Sequence, residues 1–290
     1  MATTKILESK PSIKVLEDFY KVSEAESQHD KYKDRPYIWY MFVMSADGIG
    51  SLKEKSYPDT GIGLSGPGIA LAHKKTEHNA ASGAYTDWRM LQYGWAVADA
   101  VIAGSGIIKA EKDLLWLPDD DDLIKLRDNY SKPLRVLITG NGFNKEELGY
   151  AIFHTEKVRT MIATSEKGYN SMKPIIDSMI EKDRPKAEIK TFGQNTVNID
   201  DLLKTLKKEY NVKTVDLQGG PDVAGQFFKN NSVDEYRLTL SPTIAGSLNS
   251  QNEIRPTPVK TNFLPDELQA MKLEYLGVSN NHVFLRYLRN

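Results

Sequence analysis

The sequence predicts an α/β protein with a mostly parallel central sheet, helices on its flanks and an antiparallel hairpin at the carboxyl end. Three observations carry that prediction. From Pro36 onward, short apolar runs alternate with segments of helical periodicity, the pattern of strand–helix–strand units. Several of the apolar runs end in glycine: "VIAGSG" (101–106), "LITGNG" (137–142) and "DLQGGPDVAG" (216–225). The last segment, "MKLEYLGVSNNHVFLRYLR", alternates about an Asn-rich turn, as a hairpin does.

In chain order, residues 1–35 read as a helical appendage and linker, and residues 36–290 as the main domain. Ile13, Leu16, Phe19 and Tyr20 share one helical face, with Ser12 placed to cap it. "YIWYMFVMS" (37–45) is apolar on both faces and reads as a central strand. Residues 52–85, rich in Gly, Ser, Lys and His, are too long for an idle connection and read as a functional loop. "TDWRMLQYGWAVA" follows as a helix capped by Thr86, burying Met90, Leu91, Tyr93 and Val97. After the strand "DAVIAGSG" come the strands "PLRVLITGNG" and "VRTMIATSEKG", then the helix "YNSMKPIIDSMIEK". The strand "AEIKTFG", the helix "IDDLLKTLKKEY" and the strand "KTVDLQGG" lead to the helix "PDVAGQFFKN", with Pro221 at about its first position. "DEYRLTLSP" is the last strand before the hairpin.

Composition excludes several functions. Formal charge is −1 at pH 7, and no basic, aromatic-interleaved stripe is present, so nothing favours nucleic acid. The absence of cysteine excludes disulfides, thiolate catalysis and Cys-based zinc sites. No apolar run approaches the roughly 20 residues that span a bilayer, and the amino terminus lacks an apolar signal core. The expectation is a cytoplasmic protein without membrane partners. His73 and His78 lack the further ligand a metal site needs, and "HKKTEH" reads as a solvated charged loop, with a phosphate contact as its alternative. Asp119 to Asp122 read as the acidic first turn of a helix.

The stretch "DTGIGLSGPG" holds Gly61-x-Gly63-x-x-Gly66, a dinucleotide-type spacing. A working phosphate turn follows a strand and opens a helix, and "LKEKSYPDT" before it is no strand. It reads as a lid or pocket border. The three strand-end loops are better placed, since ligands of open α/β sheets gather at the carboxyl ends of strands. The candidate cofactor residues are Gly104, Ser105, Gly106, Thr139, Gly140, Thr164, Ser165, Gly219, Gly220, Pro221 and Asp222. Lys145, Ser165 and Lys167 are candidates for a 2′-phosphate. Asp47, at a strand end, either binds a ligand or caps the next turn, and Gln218 orients a ligand without acid–base capacity.

Three ordered blocks, "RPYIWYMFVMSADGIGS", "YTDWRMLQYGWAVADAVIAGSGII" and "VDLQGGPDVAGQFFKNNSVDEYRLTLSPTIAG", resemble the pyrimidine reductase domains of riboflavin biosynthesis. The resemblance implies a dihydrofolate-reductase-like fold, a homodimer, and NADPH as hydride donor to a ribosylaminopyrimidine, without metal or covalent nucleophile. It assigns Ser45, Asp47 and Glu111 to the substrate, and Asp47 and Gln218 to catalysis. Ile49 stands where the family has a substrate-facing lysine, Ile107 where it has threonine and Gln218 where it has glutamate; Glu111 is the counterpart of its acidic residue, and its arginine is absent. These departures point to a diverged substrate. The alternatives are a pterin- or folate-like reductase and a nucleotide-binding homologue without catalysis.

Overall fold

Period-two alternation of apolar residues buries both faces of one sheet, and that sheet places everything else. The computed structural model describes residues 3–8, 10–28, 31–52, 83–128 and 133–290. The strands are β1 (Thr3–Ile6), β2 (Tyr37–Ser45), β3 (Ala100–Gly104), β4 (Leu134–Thr139) and β5 (Arg159–Thr164). They continue with β6 (Glu188–Thr191), β7 (Thr214–Gly219), β8 (Glu235–Ser241), β9 (Met271–Ser279) and β10 (His282–Arg289). They form one ten-stranded sheet in the order β1-β9-β10-β8-β2-β7-β3-β4-β5-β6. Every pairing is parallel except those of β10 with β8 and β9.

In β2, Tyr37, Trp39 and Met41 enter one core cluster while Ile38 and Tyr40 enter the other. The first face is covered by α1 (Ile13–Tyr20), α2 (Val22–Gln28) and α3 (Gly83–Val97). Completing it are α4 (Ser105–Ala110), α5 (Asp121–Asp128) and α6 (Glu166–Ser178). The opposite face is covered by α7 (Ile199–Tyr210) and α8 (Pro221–Lys229), through Leu202, Leu203, Leu206, Ala224 and Phe227. The predicted strands and hairpin stand where the alternation puts them, with Asn280 and Asn281 at positive φ in the turn.

Several details differ from the sequence reading. The amino-terminal segment carries its predicted helix, capped by Ser12, and adds β1, which pairs with β9. Its Leu16, Phe19 and Tyr20 belong to the main core. Thr86 does not cap α3: the helix begins at Gly83, and Thr86 is buried within it, its hydroxyl 3.1 Å from that of Ser279. Asp121 and Asp122 do fill the first turn of α5. Asp120 and Asp122 also ion-pair with Arg89 of α3, so two of the four aspartates tie helices together. Among the described residues, no helix is long and apolar enough to cross a membrane.

Candidate active site

The carboxyl ends of β2, β3, β4 and β7 open into one cleft of about 530 Å³. Helix starts give its polar half. Ser12, Ser165 and Asn198 cap α1, α6 and α7 with side-chain oxygens. Helices α4 and α8 instead begin after Gly104 and Gly220, with no side-chain cap. The first amides of a helix have no intrahelical acceptor, so both helices present unsatisfied donors where they border the cleft. Gly219 and Gly220 hold φ of 69° and 81°, a left-handed pair that turns the end of β7 into α8.

Gly106 is informative for a different reason. A β-carbon there would meet nothing within 4 Å, so packing does not demand glycine. Gly104, by contrast, is a packing glycine: its β-carbon would lie 2.8 Å from Val223 of α8.

Gln218 reaches the cleft from β7. Its Nε2 donates to Oδ1 of Asp216 at 2.7 Å, and the residue lines the cleft. Asp216 is fully buried, and burial pushes its carboxyl up to about 7. Glu111 lines the cleft after α4 as an exposed side chain, and the protein around its carboxyl still raises it above the usual range. The remaining wall is apolar: Met41 and Val43 of β2, Trp88, Leu91 and Trp95 of α3, and Leu114 and Trp116.

The cleft thus gathers Gly104, Ser105, Gly106, Thr139, Gly140, Gly220, Pro221 and Asp222, together with Gln218 and Glu111. Gly219 stands one residue behind, packed on Tyr40. Thr139 spends its hydroxyl on the carbonyl of Gly142, 3.0 Å away. Thr164 and Ser165 do not line the cleft; Ser165 caps Gly168 and donates to the carbonyl of Gly140. Lys145 and Lys167 are likewise absent from the lining.

Ser45 and Asp47 are placed elsewhere too. The Ser45 hydroxyl donates to Asp47, which accepts the amides of Ala245 and Gly246 at 3.1 and 2.7 Å. Those bonds, the Ser45 one foremost, hold the Asp47 carboxyl down at about 2. Asp47 thereby ties the turn after β2 to the loop that follows β8. The Gly61-x-Gly63-x-x-Gly66 stretch and His73, Lys74, Lys75 and His78 lie outside the described residues.

Sequence reasoning missed the tryptophans. Trp88 and Trp95 sit seven residues apart on α3, a spacing that also suits a buried face, and Trp116 lies in a segment without periodicity. A usable signal was their scarcity: three of only four tryptophans line this one cleft.

The RibD C-terminal domain profile matches residues 36–279. No curated protein matches the sequence. Among solved structures, the chain is similar to a pyrimidine reductase-like protein from Corynebacterium diphtheriae, with a TM-score of 0.63 at 18% identity, covering 95% of this chain and 98% of that one. It is also similar to RibD of Acinetobacter baumannii, with a TM-score of 0.59 at 16% identity over 89% of this chain and 59% of that one. The chain therefore spans well under two thirds of that relative. A third similar structure is the riboflavin biosynthesis reductase Rib7 of Saccharomyces cerevisiae, with a TM-score of 0.52 at 14% identity over 95% and 99%. At these identities the likeness is one of fold.

Proposed function

The chain belongs to the RibD C-terminal domain family, and from that premise we propose that it is an NADPH-dependent reductase acting on a small imine or aldehyde. One observation carries the reading: two helices with glycine N-caps and no side-chain cap open onto the same cleft. That arrangement suits a pyrophosphate, whose oxygens take the free amides and the positive ends of the helix dipoles. The residues assigned to it are Gly104, Ser105, Gly106 and the turn from Gly219 through Asp222, with Thr139 and Gly140 bordering.

The cofactor, when bound, supplies a hydride. Gln218 presents a fixed hydrogen-bond acceptor, because Asp216 holds its amide nitrogen. Such an acceptor suits a carboxamide N–H or a substrate N–H. Glu111 faces the cleft with a raised carboxyl, so it keeps a proton to higher pH and is assigned as the proton source. Placement and exclusion of water by the apolar wall do the remaining work. Ile49, at the family's lysine position, is 5% exposed and its amide donates to Ser45, so it offers the substrate no charge. The reading extends to a homodimer on the family resemblance and to a cytoplasmic protein on composition.

Calorimetric titration with NADPH and NADH tests it, followed by addition of a ribosylaminopyrimidine to NADPH-loaded protein. The expected result is binding of NADPH more tightly than NADH. Binding of neither cofactor overturns the reading.

A further inference from the structure

The cofactor cradle leaves half of the cleft to be explained. Trp88, Leu91 and Trp95 of α3 face it together with Met41, Leu114 and Trp116. Trp88 and Trp95 meet edge to face, with ring centroids 5.2 Å apart. Trp116 is 1% exposed and holds φ of 50°, a left-handed conformation unusual for a bulky residue. Arg135, buried beneath, sustains it: Nε donates to the carbonyl of Leu115 at 3.2 Å, and the guanidinium also bonds the carbonyl of Trp116. A strained tryptophan held by a buried cation is a constructed wall.

Charge around that wall is equally specific. Arg89 is paired with Asp120 and Asp122, Lys109 with Glu147 at 2.8 Å and Lys112 with Glu146 at 3.2 Å. Arg135 is 0% exposed and does not line the cleft; Nε and Nη2 bond the two carbonyls, and Nη1 is buried without a partner. Among the described residues that line the cleft, the charged side chains are Glu111 and Asp222, both acids. Asp222 is paired with Lys260 at 2.9 Å. A phosphate dianion set against this wall would lose its hydration, would face Glu111, and would meet no basic side chain among the described residues of the lining.

Resting on the reductase reading, we propose that this half of the cleft takes an uncharged, flat, largely apolar ring carrying a carbonyl or imine carbon, and disfavours a phosphorylated sugar. The ring stacks on indole, where aromatic pairs gain beyond simple burial. Hydride adds to the carbon of the C=O or C=N bond, the π electrons pass to oxygen or nitrogen, and a proton from Glu111 completes the alcohol or amine. The dinucleotide leaves as NADP⁺, so electrons and protons balance.

Indole fluorescence reads the site directly, since three of the four tryptophans line it. Naphthaldehyde, a 5′-phosphorylated ribosylaminopyrimidine and its dephosphorylated form are each titrated into the full chain, with and without saturating NADP⁺. Naphthaldehyde is expected to quench the fluorescence and to bind at least about tenfold more tightly than the phosphorylated compound. Trp88→Ala should abolish that preference, and Trp88→Phe, which keeps a ring, should restore most of it. Tighter binding of the phosphorylated pyrimidine than of its dephosphorylated form overturns the proposal, as does failure of naphthaldehyde to bind in either state. If naphthaldehyde binds but neither NADPH nor NADP⁺ does, the reductase reading fails while the ligand class stands.

Discussion

Gly106 separates a binding role from a structural one. It lies in the first turn of α4, where glycine costs roughly 1 kcal/mol relative to alanine, and the space beside it is open. Stability alone would replace it. Gly106→Ala is therefore expected to raise the urea unfolding midpoint slightly while weakening NADPH binding about tenfold, or about 1.4 kcal/mol. Calorimetry and urea titration of one preparation check both signs. Unchanged affinity would remove Gly106 from the cradle. The neighbouring Gly104 has the opposite logic, because its β-carbon would collide with Val223 and push α8 from β3.

At the scale of elements, α1 shows how the amino-terminal segment is held. Phe19 is 1% exposed and meets the Tyr275 ring of β9 edge on, with centroids 5.1 Å apart. The Tyr20 hydroxyl donates to the carbonyl of Met90 in α3 at 2.7 Å, and Arg237 of β8 lies over its ring. Phe19→Ala is expected to cost about 3–5 kcal/mol in urea unfolding, the usual range for a deleted core phenylalanine. A loss below about 1 kcal/mol would mean that the helix contributes nothing to the fold. This helix, its Ser12 cap and the strand–helix alternation were legible because each is a local pattern of apolar spacing. The strand β1 was not, because "TTKI" is four residues long and becomes a strand only by pairing with β9. The same contrast holds in the cleft. Strand-end glycines announce the cradle locally, whereas Trp88, Trp116 and Arg135 come together from distant segments and left no spacing to read. Thr164 and Ser165 looked alike to the other strand ends; only the bond from Gly168 to Ser165 reveals a cap in use.

The whole molecule carries an unusual load of buried acid, and its stability should report it. Asp87 and Asp216 are 1% and 0% exposed, and burial, the leading cause for both, pushes each carboxyl up to about 7. In the unfolded chain such groups titrate near ~3.9. Between those values the folded state holds protons that the unfolded state has released. Stability from these two groups is therefore fully present below about pH 4 and is lost as pH rises toward 7, by at most about 1.4 kcal/mol per pH unit per group. His282, pushed down by its burial, has the opposite sign and gains stability as pH rises through its ordinary 6.5. Asp47, held at about 2, withdraws stability only as pH falls below the ordinary carboxylate range. Two acids against one histidine leave a net loss from pH 5 to pH 8, so the urea midpoint should fall over that interval. Asp87→Asn removes one titrating group without changing the shape of the site, and its midpoint should fall by roughly half as much. The comparison needs intact folding at both pH values, which far-UV circular dichroism verifies. A wild-type midpoint that rises from pH 5 to pH 8 would show that Asp87 and Asp216 are already ionised inside the fold, and that the cations and dipoles around them outweigh their burial.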